Sequence, residues 1–546
     1  IVRRVVGEAL GLPWSQIRVI KPCIGGGFGN KQDVILEPMV ALLTLKLGGV
    51  PVKLRLDREE GMIGTRVRHP FRVQMQMGVQ EDGTVKLINF DALSNTGAYA
   101  SHGHSIAAAG AAKAHLMYPR AVYRCHARTI YGNFPAAGAM RGYGSPQMTF
   151  AIDCMMEDAA RSLGMDPVEF RLKNAVRPGD MNQIGKRPIM TAGLVECLQK
   201  GRKLIRWDQK RADRPPPQTG PLRRGLGVAC FSYGSGTYPV CVEAASARLI
   251  LNQDGSAHLQ MGATEIGQGA DTIFAQMTAE TLGVPFDKVH VISTQDTDGT
   301  PFDTGAYASR QTYVGGPAVM RTARQLKEKI LEYAGIITGM IPADLDIKDG
   351  NIVVARTPET AVMSVQDVAI DAYYDKNRGG QITAEVSYKT RTNAPSFGCT
   401  FVDLEVDIPM CKVKITEIYN IHDCGVVINP LTAEGQVHGG MAMGIGAALF
   451  EVLMIDPDSG RIYNNNMLDY KVPTIMDIPD LTADFVETQE PTHPYGSKSL
   501  GEPPVLSPAP AIRNAILDAT GVSINELPIN PKILFKHFKA AGLFRS

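Results

Sequence analysis

Near the end of the chain, Tyr495-Gly-Ser-Lys-Ser-Leu-Gly-Glu-Pro-Pro504 sets a single acid–base group, Glu502, between a glycine and two prolines. Gly501 frees the backbone to bend and to approach another group closely. Pro503 and Pro504 fix φ and bias the residues before them towards extended backbone. The spacing predicts a stiff strut carrying one carboxylate, with Ser507-Pro508 opening a helix as N-cap and first helical position. Lys498, four residues earlier, is expected to hold a second charge in the same place. In isolation such a stretch reads first as a solvated turn, so the rest of the chain has to decide.

Glycine loops that open helices recur along the sequence. Gly25-Gly-Gly-Phe-Gly-Asn-Lys-Gln32 leads into an apolar helix over 34–47, and Arg141-Gly-Tyr-Gly144 into one ending at Gly164. Gly262-Ala-Thr-Glu-Ile-Gly-Gln-Gly269 precedes a helix over 270–282, and Tyr307-Ala-Ser-Arg-Gln-Thr312 one over 318–333. Gly435-Gln-Val-His-Gly-Gly440 and Gly501-Glu-Pro-Pro504 complete the set. Such loops expose free N–H groups and the positive end of a helix dipole, which suits an anion. With Gln268, Ser309, Gln311 and Gln436 in them, they suggest one cradle for a large, polar, phosphorylated ligand. A glycine-rich core with tight helix packing is the competing reading.

Apolar spacing predicts a helix over 1–10, stopped by Gly11 and Pro13. Strands are expected at 17–20, 51–56, 71–77 and 85–93, with a turn at 81–83, and later at 245–251, 289–293, 401–407 and 413–419. The class is α+β: two elongated mixed α/β domains, 1–212 and 222–546, separated where Ala-Asp-Arg-Pro-Pro-Pro-Gln-Thr-Gly220 breaks all periodicity. The length of 546 residues suits more than one domain.

A net charge of +1 favours no nucleic-acid partner, and no apolar run is long enough for a membrane span. Nine dispersed cysteines without a C-x-x-C pair point to reduced thiols in a cytoplasmic protein, and make a zinc or iron–sulfur site built from this chain alone an unsupported reading. Residues 25–32 lack the closing Lys-Ser/Thr of a P-loop and the last glycine of a dinucleotide fingerprint. No H-E-x-x-H or G-x-S-x-G appears. Asp296-Thr-Asp-Gly299 reads as a turn, because Tyr307 stands where a calcium loop needs its glutamate.

Taken in register, the loop at 25–31, Met140-Arg-Gly-Tyr-Gly-Ser-Pro-Gln147, Glu265-Ile-Gly-Gln-Gly269, the 435–440 glycines and Gly501-Glu-Pro-Pro504 resemble the molybdenum-binding subunit of the xanthine dehydrogenase family of molybdenum hydroxylases. The resemblance covers nearly all of the chain. It implies a molybdopterin cofactor, in its simple or cytosine-dinucleotide form, carrying molybdenum at the interface of the two domains. Glu502 corresponds to the general base. Phe28, Gly29, Arg141, Gly267, Gln268, Gly269, Ala308, Ser309 and Gln436 correspond to residues around the cofactor, and Gln32 and Tyr143 to residues against the substrate. The implied reaction is hydroxylation of a purine, xanthine or hypoxanthine, at a ring C–H with water as oxygen source. Electrons would leave to partner subunits carrying 2Fe-2S clusters and FAD. The family's N-terminal domain precedes the first loop, so the resemblance implies that another polypeptide supplies it or that this chain is a fragment.

The sequence departs from the family at the substrate. Gln32 stands where a purine-binding glutamate is expected. The arginine expected near 106–110 is replaced by small and apolar residues, with Lys113 the nearest cation. Another N-heterocycle or an aldehyde, or a non-catalytic cofactor-binding half of a split enzyme, are the alternatives. Carbon monoxide oxidation is disfavoured, because Gly142 stands where its copper-binding cysteine would be.

Overall fold

Strands that must bury one face and helices that must bury one stripe assemble here into a mixed architecture around several sheets. A computed structural model describes residues 1–216 and 218–545. Its first sheet has the order Phe71–Val79, Val85–Asn95, Val122–Ile130, with the last pair parallel. The central sheet runs Leu481–Phe485, Lys412–Asp423, Ser396–Asp407, Leu222–Tyr233. A third sheet orders Val289–Ile292, Ala257–Met261, Ala244–Leu251 and Thr383–Lys389.

The helix Pro508–Thr520 is buried along its whole length. It lies on Leu222–Tyr233 so closely that a Cβ at Gly225 or Gly227 would meet its carbonyls at 2.0 Å. One hydrophobic core mixes residues from before and after 212–222: Trp207 meets Phe401 edge-on at 5.7 Å, among Ile152, Phe170, Leu226 and Ile421.

Helices at Val2–Leu10, Ser145–Ser162 and Ala270–Leu282 and the strands at 71–79 and 85–95 match the sequence expectation. Several local readings need correction. The strand expected at 17–20 is Ile20–Lys21. Glu502, expected extended before Pro503, has helical backbone (φ −95, ψ −35) ahead of a 3-10 turn over Pro503–Val505. Residues 51–56, read as a strand, pair with no other strand among the described residues. The helix expected from 34 begins at Glu37, because a single turn at Asn30–Gln32 intervenes. The 435–440 glycines are not a loop: they lie inside a helix, Pro430–Ile445, which Asn429 caps by accepting from the Thr432 N–H at 3.0 Å.

Candidate active site around Glu502

Four of the loops converge on Glu502. The half-buried carboxylate accepts from the Gly142 N–H at 3.1 Å and from Ser309 Oγ at 3.1 Å, while its own N–H donates to Ser309 Oγ at 2.9 Å. The strut is fixed from the far side by Arg141, whose guanidinium donates to the Gly501 carbonyl at 2.7 Å and the Gln436 carbonyl at 2.8 Å. The Arg141 N–H donates to the Phe28 carbonyl at 2.8 Å. Gly29, at φ 106, packs so tightly that a Cβ would stand 2.6 Å from the Ala139 carbonyl oxygen.

Strain is concentrated here. Phe28, Tyr143, Ala308 and Ser309 have φ of 50°, 41°, 49° and 50°, a left-handed region that side chains other than glycine occupy at a cost of about 1–3 kcal/mol each. Such backbone persists only where surrounding contacts over-determine it, as the hydrogen bonds above do.

The loop at 265–269 differs from the sequence expectation. The Gly267, Gly269 and Asp271 N–H groups are not free for an anion: all three donate to the Glu265 carboxylate, at 2.6, 3.2 and 3.0 Å. Gln268 builds the loop as well. Its amide donates to the Thr264 carbonyl at 2.9 Å and to Gln311 Oε1, and it accepts from the Ile266 N–H at 2.7 Å. What this loop can offer a ligand is its outward backbone and one remaining lone pair of Gln268. It is tied to the first loop by Gly26 N–H donating to the Ile266 carbonyl at 2.8 Å.

Gln436 is placed differently. Its side-chain amide makes no hydrogen bond to a described residue, and a Cβ at Gly501 would lie 3.7 Å from its Oε1 and 3.6 Å from Ser309 Oγ, in ordinary contact. A methyl group at Gly501 would therefore fit between Gln436 and Ser309 without displacing either.

Gln32 donates to the Ala306 carbonyl at 3.3 Å, next to the Ala308–Ser309 pair. Tyr143 belongs to a network that the sequence did not reveal. Its hydroxyl lies 2.8 Å from His102 Nδ1 and 2.7 Å from Ser105 Oγ, and His102 Nε2 lies 3.0 Å from Asp33. Burial pushes the Asp33 carboxyl up, but hydrogen bonds from His102, Ser101 and Arg66 outweigh it and leave it well below the usual range. The signal available was Asp33 directly after Gln32. Its partners lie in a separate segment, so spacing could not find them.

Lys498 does not share Glu502's place. Its ammonium donates to Asp423 at 2.6 Å, and both side chains are fully buried. The cations nearest in electrostatic effect to Glu502 are Arg68, Arg141 and Lys113. Burial pulls them down to about 10, about 10 and about 8, with the negative charge of Glu502 opposing in each case. Among the described residues no group of three or more His, Cys, Asp or Glu side chains could hold a metal ion, and no helix is long and apolar enough to cross a membrane.

A molybdopterin cofactor-binding domain matches residues 200–479, and another matches residues 1–175. The chain is 59% identical over 543 residues to the xanthine dehydrogenase molybdenum-binding subunit of Escherichia coli O157:H7, covering 100% of this chain and 72% of that protein. It is 30% identical over 559 residues to the nicotine 6-hydroxylase large subunit of Paenarthrobacter nicotinovorans, covering 97% and 67%. The crystal structure of quinoline 2-oxidoreductase from Pseudomonas putida 86 is similar with a TM-score of 0.91 at 27% identity, covering 98% of this chain and 71% of that one. With both cofactor-binding domains and this identity along its whole length, the chain belongs to the molybdenum hydroxylases, as a molybdenum-binding subunit of the xanthine dehydrogenase family.

Proposed function

We propose that Glu502 is the general base of an enzyme that hydroxylates a purine-type heterocycle, xanthine or hypoxanthine, at a ring C–H with water as the oxygen source. The observation that carries this reading is a half-buried carboxylate held by two neutral donors, with the side-chain amide of Gln436 unpaired beside its strut. Molybdopterin fits the residues there. The free amide of Gln436, the left-handed backbone at Ala308 and Ser309, the outward face of Gly267–Gly269, and Phe28 and Gly29 would hold it, with Arg141 bracing the strut behind. Bound, the cofactor supplies two-electron redox chemistry and a Lewis acid that activates water.

The chain's own part is position and proton transfer. Ser309 and the Gly142 N–H orient Glu502 and leave half its lone pairs open to accept a proton. Tyr143, its hydroxyl anchored, presents a fixed ring edge or face to an aromatic substrate, and Gln32 offers an amide that both donates and accepts. Residues 1–212 and 222–546 would form the two halves of the site, with Arg141 of the first reaching Gly501 and Gln436 of the second. Electrons leave through partner subunits carrying 2Fe-2S and FAD, and nine free thiols favour the reducing cytoplasm.

A second reading, a different N-heterocycle, is favoured by Gln32 and by the identity to the nicotine hydroxylase subunit. Metal and pterin analysis of the native complex, followed by turnover on xanthine, hypoxanthine, nicotinate and an aromatic aldehyde, tests both. Molybdenum with preference for the purines is expected. A complex without molybdenum removes the enzyme reading, and preference for nicotinate or aldehyde removes the purine.

A further inference from the structure

Tyr143 directly follows the Gly142 N–H that holds Glu502, and its backbone, at φ 41, lies between two glycines at φ 95 and 81. A turn of this kind is strained at its one non-glycine member, so other contacts have to hold it. The Tyr143 N–H donates to the Met140 carbonyl at 2.8 Å. The side chain is tied at its tip. Its hydroxyl lies 2.8 Å from His102 Nδ1 and 2.7 Å from Ser105 Oγ, and the imidazole meets the phenol ring edge-on with 5.4 Å between centres.

The chain's own chemistry decides which group donates. Asp33 is fixed by Ser101 Oγ at 2.7 Å and Arg66 Nε at 2.9 Å, and as a carboxylate it can only accept. His102 Nε2, 3.0 Å away, therefore carries the proton, and Nδ1 is left as an acceptor. The Tyr143 O–H donates to it, and Ser105 donates to the phenol oxygen. His102 is placed in turn by backbone. It directly precedes the helix Gly103–Ala114, where Thr96 Oγ1 donates to the Ala100 carbonyl at 2.9 Å and a Cβ at Gly103 would collide with that same Oγ1.

We infer that Asp33 and His102 are positioning residues of this site: through a single imidazole tautomer they hold the Tyr143 phenol, and so decide which ring carbon of a planar heterocyclic substrate lies against Glu502. The inference rests on the hydroxylase reading above. The Tyr143 ring and the Gly142 N–H belong to one turn, so whatever fixes the hydroxyl fixes the ring and the donor to the base together. The O–H proton is committed to His102, which leaves the phenol no donor for a substrate. Its part is that of a fixed surface. A planar heterocycle offers more than one C–H, and flat contact alone does not choose among them. A ring tied at both ends allows the substrate fewer orientations, and a misplacement of about 1 Å costs ~10²-fold in rate. Without the tie the same ring hangs on a turn flanked by glycines, which allow it to shift.

The test uses the holoenzyme assembled with its partner subunits, with purine and hypoxanthine as substrates, each of which has more than one ring C–H open to hydroxylation. It reads the ratio of the products, which does not depend on how much of the enzyme is folded or loaded. Tyr143→Phe and His102→Ala are each expected to shift that ratio about tenfold from the native one, the worth of one hydrogen bond. His102→Asn, which sets an amide oxygen near the place of Nδ1, should restore most of the native ratio. Asp33→Asn can donate to Nε2 and so reverses the tautomer. It should shift the ratio in the native background and leave it unmoved in Tyr143→Phe. Native ratios in both Tyr143→Phe and His102→Ala overturn the inference, as does a His102→Asn no better than His102→Ala. An Asp33→Asn effect that persists without the hydroxyl overturns it too, leaving a structural role only. A native enzyme that oxidises neither heterocycle overturns the hydroxylase reading itself, and the inference with it.

Discussion

Lys498 and Glu502 sit four residues apart on one segment, yet they end in opposite kinds of surroundings. Lys498 meets Asp423, whose two oxygens also accept from the Gly193 N–H at 2.8 Å, the Gly425 N–H at 3.1 Å and Thr488 Oγ1 at 2.7 Å. That carboxylate is saturated and sealed. Glu502 has two donors, both neutral and one on each oxygen, and is only half-buried. A structural carboxylate is satisfied on all sides, because an unpaired buried charge is costly. One that is to take up a proton has to be left partly unsatisfied and held in place by other means. The segment between them turns a buried anchor into a rigid arm.

The largest effect should come from removing the acid on the open side. Glu502→Gln keeps the shape, with its one oxygen accepting from the Gly142 N–H and its NH2 donating to Ser309 Oγ, so molybdenum and pterin content should stay near native while turnover falls ~10²–10⁴-fold. Turnover close to native in a fully loaded enzyme would reverse the assignment of the two carboxylates. On the sealed side the loss should appear as stability instead. Lys498→Met strands Asp423 as an uncompensated buried charge and should cost about 3–5 kcal/mol. Adding Asp423→Asn removes that charge and should recover most of the melting temperature. If the single and double variants unfold alike, the pair is not what anchors the arm.

Part of this contrast was legible in the sequence. Glycine and proline punctuation located Glu502, Arg141 and the 265–269 loop, because chain geometry dictates those residue types locally. The fate of Lys498 was not legible, since its partner Asp423 lies 75 positions away at the end of a strand. The 435–440 stretch was misread for a related reason: glycines there suggest a loop, but Asn429-Pro430 upstream had already capped a helix that runs through them. Nor did periodicity disclose Gly103–Ala114, whose alanines and glycines carry no polar–apolar contrast. Glu265 shows the limit of the loop argument most clearly. The N–H groups expected to be free for a ligand's anion are taken, because the chain supplies its own carboxylate from two residues before the first N–H it satisfies.

The smallest effect, and the sharpest test of how Glu502 is held, lies at Ser309. Its hydroxyl donates to the carboxylate and accepts from the N–H of the same residue, closing a clamp, while its backbone sits at φ 50. Ser309→Ala removes the clamp but keeps the strain, leaving the Gly142 N–H as the remaining donor. A hydrogen bond to a charged group contributes about 1.5–3 kcal/mol, partly replaceable by water, so a loss in kcat of about tenfold is expected with KM little changed. Ser309→Gly also removes the hydroxyl, but glycine adopts this φ without cost. If the hydroxyl orients the base, both variants lose turnover equally, and only the melting temperature separates them, in favour of glycine. If strained backbone is what aims Glu502, the glycine variant should lose more turnover than alanine, because it alone releases the conformation.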